Sequence, residues 1–270
     1  MLKARILTAT ILIPLFLGAL FLLPDAAWIA VTMVVTMLAC REWGNLAGFS
    51  KNTVHFYLFL SVLLSLFFLW IIYTNTSNIL YFYIVSAVFW FVVAPTWLTF
   101  GWHFKRPLVM ALAGWVVLMP TWLALIDLRL HSAWLLLGIM ALVWIADTAA
   151  YFTGRLFGER KLAPTISPGK TWEGVAGACA AVVLYAWILI FFGNTDSLAI
   201  GPFWMVPSLL ALFAFSIVGD LFESLLKRNA GVKDSGSILP GHGGILDRID
   251  SMTATLPLAA LGLMLAQFLS

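Results

Sequence analysis

Apolar residues in this chain fall in long unbroken runs, not in the alternation of a half-buried strand or the single stripe of a soluble helix. Nine runs stand out, at about 6–23, 26–40, 54–72, 79–98, 107–126, 133–152, 173–193, 202–219 and 251–269. A helix of about 20 apolar residues spans a bilayer. The pattern therefore predicts an all-α integral membrane protein, a polytopic bundle of about nine transmembrane helices. The second run is short enough for a re-entrant element. The first follows a basic start, as a signal peptide does, but it is longer than the usual h-region of about 7–15 residues and reads as a retained helix.

Composition agrees with the pattern. Of 270 residues, 63% are hydrophobic and only 10% charged, where a soluble domain carries roughly 25% charged residues. The two cysteines, Cys40 and Cys179, lie apart inside apolar runs, so neither a disulfide framework nor a cysteine metal site is readable. The net charge of +3 matters less than where the charges lie. With nine spans and the N-terminus inside, fourteen of the fifteen basic residues fall in inner segments and only Arg129 in an outer one. The positive-inside rule then predicts a cytoplasmic N-terminus and an outer C-terminus. Two inner stretches are long and polar, about 153–172 and 220–250; the chain is expected to form one membrane unit, with N-terminal transmembrane helices over 1–130 and, over 131–270, the transmembrane region that carries both polar stretches and any catalytic chemistry.

Chemistry concentrates in those stretches. Asp147 sits inside the sixth run, and a carboxylate within a membrane span marks function by default. The loop after it carries Gly154, Gly158, Pro164, Pro168 and Gly169 and is expected to be irregular. Ser167 to Thr171, with Lys170, then leads into a helix whose first N–H groups would suit an anion such as phosphate. In the second stretch, Asp220, Ser224 and Lys227 share one helical face by i, i+4 and i+7 spacing, with Glu223 beside them. An amphipathic helix at the membrane surface has the same pattern. Gly241, Gly243 and Gly244 would let backbone approach a ligand closely. Asp247, Asp250 and Ser251 would face one way at the start of the last span.

Asp147, Asp220, Asp234, Asp247 and Asp250 are hard oxygen donors, and Mg²⁺ takes one or two carboxylates with waters and substrate phosphates. Lys170, Lys227, Arg228, Lys233 and Arg248 can neutralise phosphate oxygens. No activated serine or cysteine is evident, and one histidine, His242, makes a poor zinc site. The set reads as metal-assisted phosphate chemistry on a nucleotide or a lipid.

The segment from Ser224, Lys227 and Arg228 through Lys233, Asp234, Gly236, Leu239, Pro240, Gly241, His242, Gly243 and Gly244 to Asp247, Arg248 and Asp250 closely resembles the signature of the phosphatidate cytidylyltransferases, the CDP-diacylglycerol synthases. Asp147 with Ala150 and Tyr151, and the run from Ser167 to Gly174, are similar to that family too. Ala149 departs from it, standing where many members have glycine. The resemblance covers most of 140–255.

It implies transfer of the cytidylyl group of CTP to phosphatidate, giving CDP-diacylglycerol and pyrophosphate, with Mg²⁺ and a potassium ion as a second cation. It implies metal ligation by Asp220 and Asp247, catalytic roles for Lys227, Arg228 and Asp250, and substrate contacts by Asp147, Lys170, Ser224, Lys233, Asp234, His242, Gly243, Gly244 and Arg248. A homodimer in the bacterial inner membrane, with its active site on the cytoplasmic side and membrane lipid around it, completes the expectation; no nucleic-acid partner is expected. A CTP-dependent lipid kinase would share the nucleotide but transfer the γ-phosphate. An ion-coupled transporter would explain Asp147 but not the glycine-rich cluster.

Overall fold

The computed structural model describes residues 2–74, 79–104, 106–193, 201–238, 241 and 243–269. Its helices are α1 (Leu2–Leu22), α2 (Asp25–Leu46), α3 (Lys51–Thr74), α4 (Ile79–Val88), α5 (Ala94–Phe100), α6 (Pro107–His131), α7 (Ala133–Phe157), α8 (Trp172–Phe192), α9 (Pro202–Asn229) and α10 (Leu246–Leu269). A π-helical turn, Phe89–Val93, joins α4 to α5, so the two make one continuous rod. Among the described residues, eight helices are long and apolar enough to cross a membrane, and the Thr10–Leu22 part of α1 adds a shorter apolar one. The protein is an all-α polytopic membrane protein.

Several helices outrun the pattern: α6 continues to His131, α7 to Phe157, so that Gly154 is helical, and α9 to Asn229. The second span is not short: α2 continues through Arg41 and Glu42 to Leu46 and has 22 residues, which reaches across a bilayer. The loop after α7 carries a short ribbon at 161–171, with a register shift between Lys161 and Ala163. Lys161–Ala163 (β1) pairs antiparallel with Ser167–Thr171 (β2), with Lys161 opposite Thr171. Pro168 is tolerated because both strands of a two-stranded ribbon are edges. The last helix begins at Leu246, not 251, so Asp247 and Asp250 stand on its first turns.

The bundle is built around α6 and α10, whose spans are 67% and 56% buried, against 17% for peripheral α8. α6 packs on α2 and α10, α10 on α9, and α7 on α8. Pro257 removes the N–H that would bond the Thr253 carbonyl one turn earlier. Thr121 Oγ1 of α6 donates to that carbonyl at 3.2 Å instead, which keeps α10 continuous and ties it to α6.

Pro95 has the matching effect in the fourth rod. The ladder shifts by one residue before it, so that the Ala94 N–H reaches Phe89 O. The shift brings Phe89, Trp90 and Trp97 around Phe222 of α9, with ring centroids 5.4, 5.7 and 5.3 Å away. Trp43 of α2 stacks on it at 6.4 Å. Phe222 is 1% exposed. Its cage fixes the rotation of α9 about its axis, and with it the directions of Asp220, Glu223 and Lys227.

At the opposite end of the bundle Arg129 donates to Asp25 Oδ1 at 2.7 Å and to the Leu20 and Leu23 carbonyls, closing the α1–α2 connection. The isolated basic residue of that end is thus absorbed by the fold.

Candidate active site

The two polar stretches meet at one end of the bundle. The β1–β2 hairpin lies on α9 through Arg228, whose Nε donates to the Ile166 carbonyl at 3.2 Å, and Lys170 on β2 forms an ion pair with Asp220. Asp220 also accepts from Ser224 Oγ at 3.3 Å, as their i, i+4 spacing requires. Asp147 of α7 lies within electrostatic range of Asp220, Lys170 and Arg248, and Asp250 of α10 within range of Asp220, Lys227 and Asp147. Asp147, Asp220 and Asp250, on three helices, thus lie within electrostatic range of one another. Lys170 is the sole ion-pair partner of the three among the described residues.

The other half of the signature serves the fold. Lys227 is almost enclosed, with Nζ 2.7 Å from Asp247 Oδ1 and 3.2 Å from Glu223 Oε1. Asp247 Oδ2 accepts from Ser235 N at 2.8 Å, Ser235 Oγ at 2.9 Å and Gly244 N at 2.8 Å. These bonds clamp the loop after α9 onto the first turn of α10. One oxygen of Asp247 is thereby saturated, while Oδ1 has only Lys227.

The glycines find their reason in the same place. A Cβ on Gly236 would run into Glu42 Oε1, and one on Gly244 would stand 2.5 Å from both Glu42 oxygens. Gly244 sends its N–H to Asp247, so the expectation that it admits a ligand gives way to close packing on protein carboxylates. Gly243 holds φ +82, a conformation that favours glycine, with the place of its missing Cβ 2.6 Å from Asp247 Oδ2.

The anion site expected at the start of α8 is filled by the protein itself. Trp172 N donates to the Arg160 carbonyl and Gly174 N to Thr171 Oγ1. The Glu173 carboxylate, in the first turn, takes the N–H groups of Glu159 and Arg160. Lys170 alone of that segment turns toward the carboxylates. Arg228 is exposed and committed to the hairpin, and Lys233, Asp234 and Arg248 are exposed with no ion pair among the described residues. His242 lies outside the described residues.

Glu42 and Ser235 were missed by sequence reasoning. Glu42 is 3% exposed and accepts from Ile245 N at 3.0 Å, Leu246 N at 2.8 Å and Ser235 Oγ at 3.1 Å. The rule that singled out Asp147, a carboxylate inside a membrane helix, applies equally to Glu42; ending the second run at residue 40 placed it in a loop.

No group of three carboxylates, histidines or cysteines among the described residues forms a metal centre of protein ligands alone. The donors are oxygen only, the chemistry that Mg²⁺ takes from one or two carboxylates with water and phosphate oxygens completing its shell.

Residues 3–266 match the model of the cytidylyltransferase family. The chain is 38% identical to a phosphatidate cytidylyltransferase of Haemophilus influenzae, over 95% of this chain and 96% of that one. It is 38% identical to a phosphatidate cytidylyltransferase of Pseudomonas aeruginosa, over 96% of each. Over 43% of its length it is 49% identical to the phosphatidate cytidylyltransferase of Staphylococcus haemolyticus.

Proposed function

The chain belongs to the cytidylyltransferase family, and from that premise we propose that it transfers the cytidylyl group of CTP to phosphatidate, releasing pyrophosphate and leaving CDP-diacylglycerol in the membrane. One observation carries the reading at the level of geometry. The Lys170–Asp220 ion pair ties the hairpin to α9, and β2 also packs on α7, where the two polar stretches of the sequence meet. A lipid headgroup and a water-soluble nucleotide can meet only at such a polar region.

The phosphate of phosphatidate is its own nucleophile, which accounts for a site without an activated serine or cysteine. Its oxygen forms a bond to the α-phosphorus of CTP, the bond from that phosphorus to the β-bridging oxygen breaks, and the electron pair leaves with pyrophosphate. Both reactants are anions, so positioning and charge compensation make up most of the catalysis. Lys233 and Arg248, exposed and unpaired among the described residues, are the cations free to meet phosphate oxygens. Lys170 can shift from Asp220 to substrate as the nucleotide enters.

Asp220 would hold Mg²⁺, joined by Asp247 where the cation takes over Oδ1 from Lys227, and Asp147 and Asp250 would lend further negative charge to the cation. A bound divalent ion neutralises phosphoryl charge and orients the leaving group. A potassium ion as second cation, a homodimer and a place in the bacterial inner membrane with the site on the cytoplasmic face belong to the same reading. Purified protein incubated with CTP and phosphatidate, with and without Mg²⁺, tests it by mass analysis of the lipid product. CDP-diacylglycerol that disappears on chelation is expected; a lipid product without cytidine overturns it.

A further inference from the structure

Glu42 lies some two hundred residues from the signature in sequence, yet its carboxylate sits in the middle of the loop that carries it. Its three donors come from both ends of that loop: Ser235 Oγ at the start, Ile245 N and Leu246 N at the finish. The first N–H groups of a helix have no partner within the helix and favour a negative charge. α10 therefore takes its N-terminal cap from α2, across the bundle.

Ser235 Oγ is also 2.9 Å from Asp247 Oδ2. One hydroxyl proton lies between two carboxylates, Glu42 and Asp247, and both are buried or half-buried. Gly236 and Gly244 leave the space that the Glu42 carboxylate fills. Neighbouring Trp43 anchors the same turn of α2, its Nε1 donating to Met110 O at 2.8 Å. The carboxylate thus has a fixed support and a cradle shaped to it.

We propose that Glu42 is a positioning residue for the cytidylyl-transfer site: it ties Ser235 to Ile245 and Leu246 at the first turn of α10 and so sets where Asp247, Arg248 and Asp250 stand. The inference rests on the function proposed above. Glu42 touches no reacting atom; it acts through Ser235 and the α10 N-terminus. Glutamine at this position keeps the shape but turns one acceptor into a donor facing an N–H group. Displacing reacting groups by about 1 Å lowers turnover on the order of a hundredfold.

The test uses the full chain, purified in nanodiscs, as Glu42→Gln, Gly236→Ala, Glu42→Ala and the double variant Glu42→Ala with Gly236→Ala. Amide exchange at Ile245 and Leu246 is read by mass spectrometry alongside kcat and KM for CTP. In Glu42→Gln, exchange at those two amides should quicken by about tenfold or more while α6 stays protected, and kcat should fall by at least about tenfold. Gly236→Ala should reproduce both effects. Added to Glu42→Ala, where the obstructing carboxylate is gone, it should change kcat by less than about twofold.

Unchanged exchange and unchanged kcat in Glu42→Gln overturn the proposal, and so do independent, additive effects of the two substitutions. Loss of protection throughout α6 and α10 in Glu42→Gln also overturns it, because Glu42 then supports the fold as a whole. The exchange measurement needs no turnover. If the native protein forms no CDP-diacylglycerol, the functional reading fails while the capping role of Glu42 is still decided.

Discussion

Replacing Lys227 with methionine should destabilise the protein before it affects chemistry. The ammonium is 2.7 Å from Asp247 and 3.2 Å from Glu223, with side-chain exposures of 11%, 6% and 6% for the three residues. Methionine keeps the length and apolar stem but leaves two buried carboxylates facing each other without a cation. Breaking a buried pair by removing one partner costs about 3–5 kcal/mol, and the low exposure of all three groups gives no reason to discount that range for solvent screening. Beyond Lys227, Glu223 has no polar side-chain partner among the described residues, so it would bear much of the penalty. Unfolding titrations in mixed micelles would measure the loss, with Arg248→Ala, an exposed cation of the same segment, as the comparison expected to stay within about 0.5 kcal/mol of the native protein. Adding Glu223→Gln to Lys227→Met should recover part of the loss, since one of the stranded charges is gone. A Lys227→Met protein of native stability that has lost only turnover would refute the reasoning and assign the ammonium to substrate.

Asp220→Asn should lower CDP-diacylglycerol formation at least about a hundredfold, because a metal–carboxylate contact on developing phosphoryl charge is worth several kcal/mol and about 1.4 kcal/mol is tenfold in rate; a Mg²⁺ titration identical to that of the native protein would exclude it as a ligand. Phe222→Ala should cost about 3–5 kcal/mol of stability, since the ring fills a cage of four aromatics, and thermal unfolding in detergent reads it. Reporters fused after Ser132 should map outside and those after Lys161 inside; the opposite readings would reverse the orientation inferred from the basic residues.

The span pattern was legible because bilayer thickness fixes helix length, and the errors arose where charge interrupts an apolar run. Arg41 and Glu42 ended the second run in the sequence, yet Arg41 stays exposed while Glu42 turns inward to three donors supplied from beyond residue 234. Nothing local to α2 announces those donors. The i, i+4, i+7 face of Asp220, Ser224 and Lys227 was correct as geometry, but helical spacing cannot say what lies opposite. Asp247, brought alongside Lys227 by the loop, decides that Lys227 is enclosed, not open to substrate. Glycine spacing suggests room for a ligand's approach at Gly241, Gly243 and Gly244, but the structure uses Gly244, together with Gly236, as room for a carboxylate. Pro164, Pro168 and Gly169 argued against regular structure at 161–171, and a ribbon of two edge strands accommodates them.

Cytidylyl transfer is tested most directly by following two labels through one reaction. With CTP labelled at the α-phosphorus in one sample and at the γ-phosphorus in another, phosphatidate and Mg²⁺ are added to the purified protein and the lipid is extracted. The account predicts α-label in the lipid as CDP-diacylglycerol and γ-label only in soluble pyrophosphate. Label from the γ-phosphorus in the lipid, with CDP left in solution, would contradict it and make the protein a lipid kinase.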